Sequence, residues 1–418
     1  MQNYKNNINL SFFPKQAVIL VGGLGTRLKE LTKKTPKPLL NFDGKPFLDY
    51  QINYLSKYQF REIVLLCHYK SENFKSNYHN KIINNCKIIC IFEKKPLGTG
   101  GALINAKKHL DNIFFLCNGD TFFEIDLIKF NKSFNRKLFN IHVAVQKSLV
   151  SSRYHQIIKK KNVLIEFTND SVNKAQYFNC GYYLINKKIL ERYKNTVSSF
   201  EKDILPTHAK QNKISLATFN DYLIDIGTKN DFIKAQSYFK SYNKRKFIIL
   251  DRDNVINYDK GYCHIFNNFV FIKGSFKLLK KLYLQKIPVF IVTNQAGVAR
   301  GRFRINDLHN LNKVMNNFFM QKGFTVNQIY FCPHHKDGII KEYKKDCKYR
   351  KPNNQFYYKI KQQWFLKSNN SLFIDDKIEN LAFSRKSKIY GFQFNPYKDK
   401  NIYNFFSKII NKLKWKIF

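Results

Sequence analysis

The sequence predicts an α/β protein of two successive domains, each built on a sheet covered by helices. Three observations carry this. Short apolar runs alternate with helical patterns, which is the signature of strands feeding helices across a sheet. The cycle stops in a polar, basic stretch and restarts at Phe247. At 418 residues the chain suits two domains better than one.

Taken in order, the residues before 15 form a polar N-terminal segment, and the first domain spans 15–240. Ala17-Val18-Ile19-Leu20-Val21 opens it as a buried strand running into glycines. Ile63 to Leu66, Ile88 to Phe92, Ile113 to Cys117, His142 to Gln146 and Tyr182 to Ile185 read as further strands. Phe47 to Lys57 and Gly101 to Leu110 have the spacing of helices. A linker follows at 241–246, then a second domain at 247–395. Phe247-Ile248-Ile249-Leu250 opens it, with later strands at Val289 to Val292, Gln328 to Phe331 and Leu372 to Ile374. Helices are predicted near Phe276 to Leu284 and Ile305 to Gln321. The basic, aromatic tail 396–418, with Phe405, Phe406, Leu413 and Trp415, has an amphipathic helical pattern.

Composition narrows the function classes. Hydrophobic residues make up 44% of the chain, enough for two cores, yet no apolar run reaches the length of a membrane span. The start lacks the pattern of an export signal. The expectation is therefore a cytoplasmic protein whose eight cysteines are thiols or metal ligands and not disulfides. A formal charge of +44 raises nucleic-acid binding. The lysines are spread along the chain and not gathered in a patch, and Asn, Ile, Tyr and Phe are abundant beside them. That pattern fits compositional bias and anionic substrates, so no nucleic-acid partner is expected.

Five motifs mark a first site. Gly22-Gly23-Leu24-Gly25-Thr26-Arg27-Leu28 follows the first strand, where glycines let backbone N–H groups approach phosphate oxygens. Taken alone this is also a tight turn. Thr35-Pro36-Lys37-Pro38-Leu39 fixes the backbone of Lys37 between two prolines. Leu97-Gly98-Thr99-Gly100-Gly101-Ala102, Asn118-Gly119-Asp120 and Asp225-Ile226-Gly227-Thr228 complete the order. With these motifs, residues 15 to 235 resemble the sugar-phosphate nucleotidyltransferases, whose fold is a Rossmann-like mixed sheet. The resemblance implies that Gly22, Gly23, Gly25, Thr26 and Arg27 hold a nucleoside triphosphate, with Gly98 and Thr99 near base and ribose. It places Lys37 and Arg27 at the reaction centre and a Mg²⁺ ion on Asp120 and Asp225. Asn179-Cys180-Gly181 and Glu201-Lys202-Asp203 resemble the family's sugar-contacting elements, assigning Asn179, Gly181, Glu201 and Lys202 to the sugar. Phe167-Thr168-Asn169-Asp170 stands where many relatives carry Glu-Lys.

A second site opens at Leu250-Asp251-Arg252-Asp253, two carboxylates just past a strand. Val292-Thr293-Asn294-Gln295, then Gly297-Val298-Ala299-Arg300-Gly301, Arg350-Lys351-Pro352 and Phe373-Ile374-Asp375-Asp376 follow. Nucleophile, hydroxyl, cation and acid in that order suit phosphoryl transfer through an aspartyl phosphate. Residues 246 to 395 resemble the haloacid-dehalogenase-type phosphatases, and within them those acting on heptose bisphosphate and histidinol phosphate. The resemblance makes Asp251 the nucleophile and Asp253 the general acid and base. It gives Thr293, Asn294, Arg350 and Lys351 to phosphate binding, and a second Mg²⁺ to Asp251, Asp376 and the Asp253 carbonyl. It also implies a Zn²⁺ site on Cys332, His334 and Cys347, whose fourth ligand position holds Tyr349. Asn254 and Asn380 replace a family glycine and acid.

The combined expectation is a bifunctional enzyme of nucleotide-sugar synthesis. It removes the C7 phosphate of a heptose 1,7-bisphosphate, then joins GMP from GTP to the heptose 1-phosphate. An alternative keeps the transferase for mannose or glucose 1-phosphate and makes the rear domain weak or non-catalytic, with Asn254, Tyr349 and Asn380 as its support.

Overall fold

The computed structural model describes residues 13–28, 30–147, 156–168, 177–193 and 197–415. The polar N-terminal segment, apart from Phe13 and Pro14, lies outside these residues, as do Asn169 and Asp170. The chain divides into two compact units between Lys240 and Ser241.

Among the described residues the first unit holds a ten-stranded mixed sheet. Gln16–Leu20 lies at its centre, parallel to Glu62–Cys67 on one side and to Ile113–Asn118 on the other. Ala17, Val18 and Ile19 are wholly buried, as expected of a parallel strand covered on both faces. Cys86–Phe92 extends the parallel half. Beyond Ile113–Asn118 the sheet reverses: Tyr177–Asn186 runs antiparallel to it and to Ile141–Lys147. Ile214–Thr218 then lies parallel to Ile141–Lys147.

A separate ribbon decides the site. Thr121–Phe123 and Leu223–Asp225 pair antiparallel, with Asp225 opposite Thr121. The Ile226 N–H donates to the Asp120 carbonyl at 3.1 Å. Two aspartates far apart in sequence thus become neighbours.

The second unit is a five-stranded, all-parallel sheet. Its spatial order is Gln328–Cys332, Val289–Asn294, Ile248–Leu250, Leu372–Asp375 and Tyr390–Gln393. Successive residues of the central strand alternate between faces. Ile248 and Leu250 join one core, with Leu278, Leu308 and Met315. Phe247 and Ile249 join the other, with Phe356, Ile360 and Phe383. In a parallel sheet the strands' C-terminal ends share one edge, where open α/β sheets place ligands.

Three features of the structure add to the sequence reading. The linker is shorter than expected: helix Lys229–Tyr242 continues into it, and Asn243 is tied to the second unit through the Lys367 N–H. The tail is part of the second domain and not an appendage. Its helix Ile402–Lys412 buries Ile402, Phe406, Ile409 and Ile410 in the core, at the spacing of one helical face. The Asn401 side chain caps its start by accepting from the Tyr403 and Asn404 N–H groups. The edge strand Tyr390–Gln393, half exposed and carrying Gly391, lacks an apolar run that would announce it.

Candidate active sites

In the first unit the glycine loop, Lys37 and Asp120 line one cavity of about 460 Å³. Its wall also includes Thr26, Arg27, Gly98, Thr99 and Phe200. A smaller cavity of about 250 Å³ is lined by Arg27, Asp120, Asn179, Gly181, Glu201 and Asp225. Arg27, Asn118, Asp120 and Glu201 border both, so the two spaces meet at Asp120.

The loop's shape follows from its glycines. Gly25 has φ +66°, and a Cβ there would lie 2.9 Å from Thr32 Cγ2 and 3.3 Å from Lys37 Cβ. Only glycine allows the loop to sit this close to the lysine. Pro36 and Pro38 frame a single helical turn at Lys37–Leu39. From it the buried Lys37 ammonium reaches Asp120 Oδ2 at 2.6 Å. Burial pushes the Asp120 carboxyl up, but the Lys37 charge and hydrogen bond outweigh it and leave it below the usual carboxylate range. Asp120 is therefore an anion at neutral pH, suited to a cation.

The smaller cavity has a polar wall fixed from behind. A register shift between Asn179 and Tyr183 bulges the strand, and Gly181 takes φ +70° there, so its backbone can press on the Asn118 amide. Asn179 accepts from the Gly181 N–H at 3.0 Å and donates to the Tyr183 hydroxyl at 2.7 Å. Tyr183 donates to Glu201 Oε1 at 2.9 Å. Burial, then the Glu201 charge, push the Tyr183 phenol well above its ordinary value, so it stays a donor. Sequence reasoning misses Tyr183 because it sits inside an apolar strand. Lys202 departs from expectation. It is exposed and borders neither cavity, because the turn Phe200–Ile204 aims Glu201 inward and Lys202 out. Thr99 also ties the cavity wall together, since its hydroxyl accepts from the Phe200 N–H at 2.8 Å.

The second unit gathers its polar residues at the C-terminal edge of the sheet. Lys351, fully enclosed, lies 2.9 Å from Asp251 Oδ1 and also binds Asp375. Burial pushes Asp251 well above the usual carboxylate range, with Lys351 pulling the other way. Burial likewise raises Asp376 to about 6. Asp251, Asp375 and Asp376 place carboxylate oxygens within 4.8 Å of one another. Three carboxyl groups gathered at one point make an oxygen-only donor set, which fits a hard divalent cation. Asp375 thus joins a cluster that the sequence reading drew without it.

The Asp253 carboxylate is held elsewhere. Arg252, wholly buried, binds both its oxygens at 3.0 and 2.9 Å. Gln295 donates to Oδ2 at 2.8 Å and Asn257 to Oδ1 at 3.1 Å. Its side chain is thus outside the cluster of Asp251, Asp375 and Asp376. Asn294 also departs from its assignment. Its amide donates to the Lys351 carbonyl and accepts from the Lys351 N–H, both at 3.0 Å, so both of its polar ends serve to hold Lys351 in place. Thr293, buried, accepts from Gln295 at 2.9 Å. The two asparagine departures have structural roles. Asn254 sits at φ +59°, a conformation asparagine tolerates, and donates to Asp376 at 3.0 Å. Asn380 donates to Asp375 Oδ1 at 2.9 Å.

Cys332, His334 and Cys347 bring their donor atoms within 4.8 Å of one another. Two sulfurs and a nitrogen are a soft donor set, which suits zinc. Tyr349 packs on Phe356, with ring centroids 4.9 Å apart. Arg350 donates to the His334 carbonyl at 3.1 Å. All eight cysteines are free thiols. No helix among the described residues is long and apolar enough to cross a membrane.

Comparison with known proteins bears on the first unit. The family described as "Nucleotidyl transferase" matches residues 16–241. A D-glycero-alpha-D-manno-heptose 1-phosphate guanylyltransferase of Campylobacter jejuni is 36% identical over 220 residues, covering 52% of this chain and 96% of the relative. The enzyme of the same name from Aneurinibacillus thermoaerophilus is 33% identical over 237 residues, covering 54% and 99%. Among solved structures, HddC from Yersinia pseudotuberculosis complexed with GMP-PN has 33% identity and a TM-score of 0.46, covering 54% of this chain and 99% of that one.

Proposed function

The chain belongs to the nucleotidyl transferase family through residues 16–241, and on that premise we propose that it makes a GDP-heptose in two steps, one in each unit. The Lys37–Asp120 pair at the junction of the two cavities carries the nucleotidyl transfer. A nucleoside triphosphate lies in the larger cavity, its phosphates along the loop 22–27. A sugar 1-phosphate lies in the smaller one, against Asn179 and Glu201. The sugar phosphate oxygen attacks the α-phosphorus, a new P–O bond forms, and the bond to the pyrophosphate bridge breaks. Lys37 and Arg27 offset the repulsion between the two anions and the charge that builds on the leaving group. Asp120 and Asp225 would hold magnesium, which when bound adds positive charge at the same oxygens. The choice of GTP and of a heptose rests on the guanylyltransferases of Campylobacter and Aneurinibacillus.

The phosphatase step rests on the Asp251–Lys351–Asp375 arrangement in a parallel α/β unit. Asp251 attacks the C7 phosphorus, the sugar oxygen leaves with a proton supplied by Asp253, and water then cleaves the aspartyl phosphate as Asp253 takes its proton. Lys351 and Thr293 steady the phosphoryl oxygens. Asp251, Asp375 and Asp376 would hold a magnesium ion, supplying charge to those oxygens when bound. The loop of Cys332, His334 and Cys347 would hold zinc as a structural brace, which metal analysis of the purified chain reads directly.

The order of the two steps follows from the substrates. A transferase needs the anomeric phosphate, so the rear site must remove the distal one. Phosphorus NMR of heptose 1,7-bisphosphate with the enzyme, GTP and Mg²⁺ should show orthophosphate, GDP-heptose and pyrophosphate. Heptose 7-phosphate accumulating in place of the 1-phosphate overturns the coupled reading. Transfer to heptose 1-phosphate without any bisphosphate turnover leaves only the transferase activity.

A further inference from the structure

The turn that carries Asp120 is anchored at every residue from Asn118 to Thr121. The Gly119 N–H donates to the Leu20 carbonyl at 2.9 Å, and a Cβ on Gly119 would lie 2.5 Å from that same oxygen. The Asp120 carbonyl accepts from the Ile226 N–H at 3.1 Å. Both of these anchors are backbone to backbone. The other two run to a single side chain. Gln51 Nε2 donates to the Asn118 carbonyl at 2.8 Å and to the Thr121 carbonyl at 2.7 Å. A carboxamide nitrogen carries two protons, so one group serves both oxygens. Those oxygens belong to the residues on either side of Gly119 and Asp120, so Gln51 closes the turn on itself.

Gln51 comes from the middle of helix Phe47–Ser56 and has no exposed surface. Its Oε1 is buried with no partner among the described residues, so the amide is oriented by its two donations. A buried acceptor left unpaired is destabilising, and an apolar side chain of similar size would avoid it. The residue is ill suited to packing and well suited to holding the turn. The same helix is tied to the lysine. The Phe47 N–H donates to the Leu40 carbonyl at 2.9 Å, and the Leu40 N–H to the Lys37 carbonyl at 3.2 Å. One helix thus holds the Lys37 turn through its first residue and the Asp120 turn through Gln51. Between them lies the Lys37–Asp120 contact of 2.6 Å. A rotation of the Asp120 turn would change that contact. It would also move Asp120 relative to Asp225, which stands opposite Thr121 across the short ribbon.

We propose that Gln51 is a positioning residue for nucleotidyl transfer. By holding the Asn118 and Thr121 carbonyls it aims the Asp120 carboxylate at Lys37 and at the divalent cation that Asp120 and Asp225 would share. This rests on the transfer reading above. Gln51 lines neither cavity, so its influence passes through the Asp120 turn and not through contact with a substrate. Groups behind a metal ligand of this kind set its direction, and their loss weakens the metal without removing a ligand.

The test uses the full chain and Gln51→Met, which keeps the length of the side chain and removes both donors. Electron paramagnetic resonance reads bound Mn²⁺ without turnover. Mn²⁺ bound beyond that retained by the Asp120→Asn chain reports the first unit's site alone. Gln51→Met should weaken this binding about tenfold or more. With heptose 1-phosphate and GTP, kcat for transfer should fall by a similar factor while KM for GTP stays near the wild-type value, and excess metal should restore part of the rate. The unchanged KM also reports that the first unit folds. Gln51→Glu keeps the reach and, protonated in this buried setting, one of the two donors, so it should recover part of both losses. Should the Met variant fail to fold, the Glu variant set against the wild-type chain carries the same comparison. Unchanged Mn²⁺ binding, or equal losses in kcat and in GTP binding, overturns the positioning role and leaves the transferase reading intact. A wild-type chain that binds no more Mn²⁺ than Asp120→Asn, or that transfers no nucleotide, instead overturns the transfer reading and the positioning role with it.

Discussion

In the first unit one lysine faces one carboxylate; in the second, one lysine faces two. Lys37 meets Asp120 at the border of an open cavity, where an incoming phosphate can share the ammonium. Lys351 has no exposed side-chain surface and is clamped between Asp251 and Asp375, with Asn294 gripping its backbone on both sides. The difference matches the chemistry proposed for each. Direct transfer between two bound anions needs a cation that answers to the substrates. Transfer through the protein's own carboxylate needs a cation that keeps that carboxylate in position before substrate arrives.

The largest expected effects separate the two sites. Asp251→Asn should lower phosphate release by about 10³-fold or more, since an amide cannot serve as the nucleophile, and should leave nucleotidyl transfer unchanged. Asp120→Asn should do the reverse, lowering transfer by about 10²-fold or more while phosphate release persists. Both rates measured on each folded variant decide the matter. Loss of both activities from either single change would contradict independent sites.

Much of both sites was legible because each polar motif follows an apolar strand. The glycine loop, Lys37, Asp120, Asp251 and Thr293 all stand just beyond runs that sequence reads as strands or, for Lys37, between prolines. What stayed hidden depends on side-chain direction or on pairing. The ribbon that joins Asp225 to Asp120 has strands of three residues, too short for any periodicity. Asn294 sits at a strand end with the other phosphate candidates, yet it turns to the Lys351 backbone. Lys202 neighbours Glu201 in sequence and faces away from it in space. Arg252 reads as a spacer between two aspartates, but it is buried whole and fixes Asp253. The terminal helix could be read as a tail because its apolar face shows its use only when the core of the second unit is in view.

A smaller effect distinguishes the units by their response to acid. His142, in the first unit, is 1% exposed and stacked between Phe130 and Phe134, with ring centroids 4.7 and 5.4 Å away. Its ring nitrogens meet the hydroxyls of Ser133 at 2.9 Å and Ser215 at 2.7 Å. Burial is the main cause that lowers its pKa to about 3, from an ordinary 6.5. The folded state therefore holds the ring neutral while the unfolded chain protonates it. Between those two values unfolding takes up a proton, so this residue's contribution to stability is complete above pH 6.5 and is lost as pH falls toward 3. The slope is at most about 1.4 kcal/mol per pH unit. Both tryptophans, Trp364 and Trp415, lie in the second unit, so their fluorescence follows that unit alone. Hydrogen exchange of peptides covering Ile141–Lys147 follows the first. Lowering the pH from 7 to 5 should lower the urea concentration at which those peptides lose protection, by more than any shift in the fluorescence midpoint. His142→Phe should fill the same slot between the two rings, leave the Ser133 and Ser215 hydroxyls without their partner, and lower stability at pH 7 by about 1–2 kcal/mol. It should also flatten the pH dependence, since nothing at that position then titrates. A variant that is weakened but keeps the wild-type slope would show that the acid response of the first unit arises elsewhere.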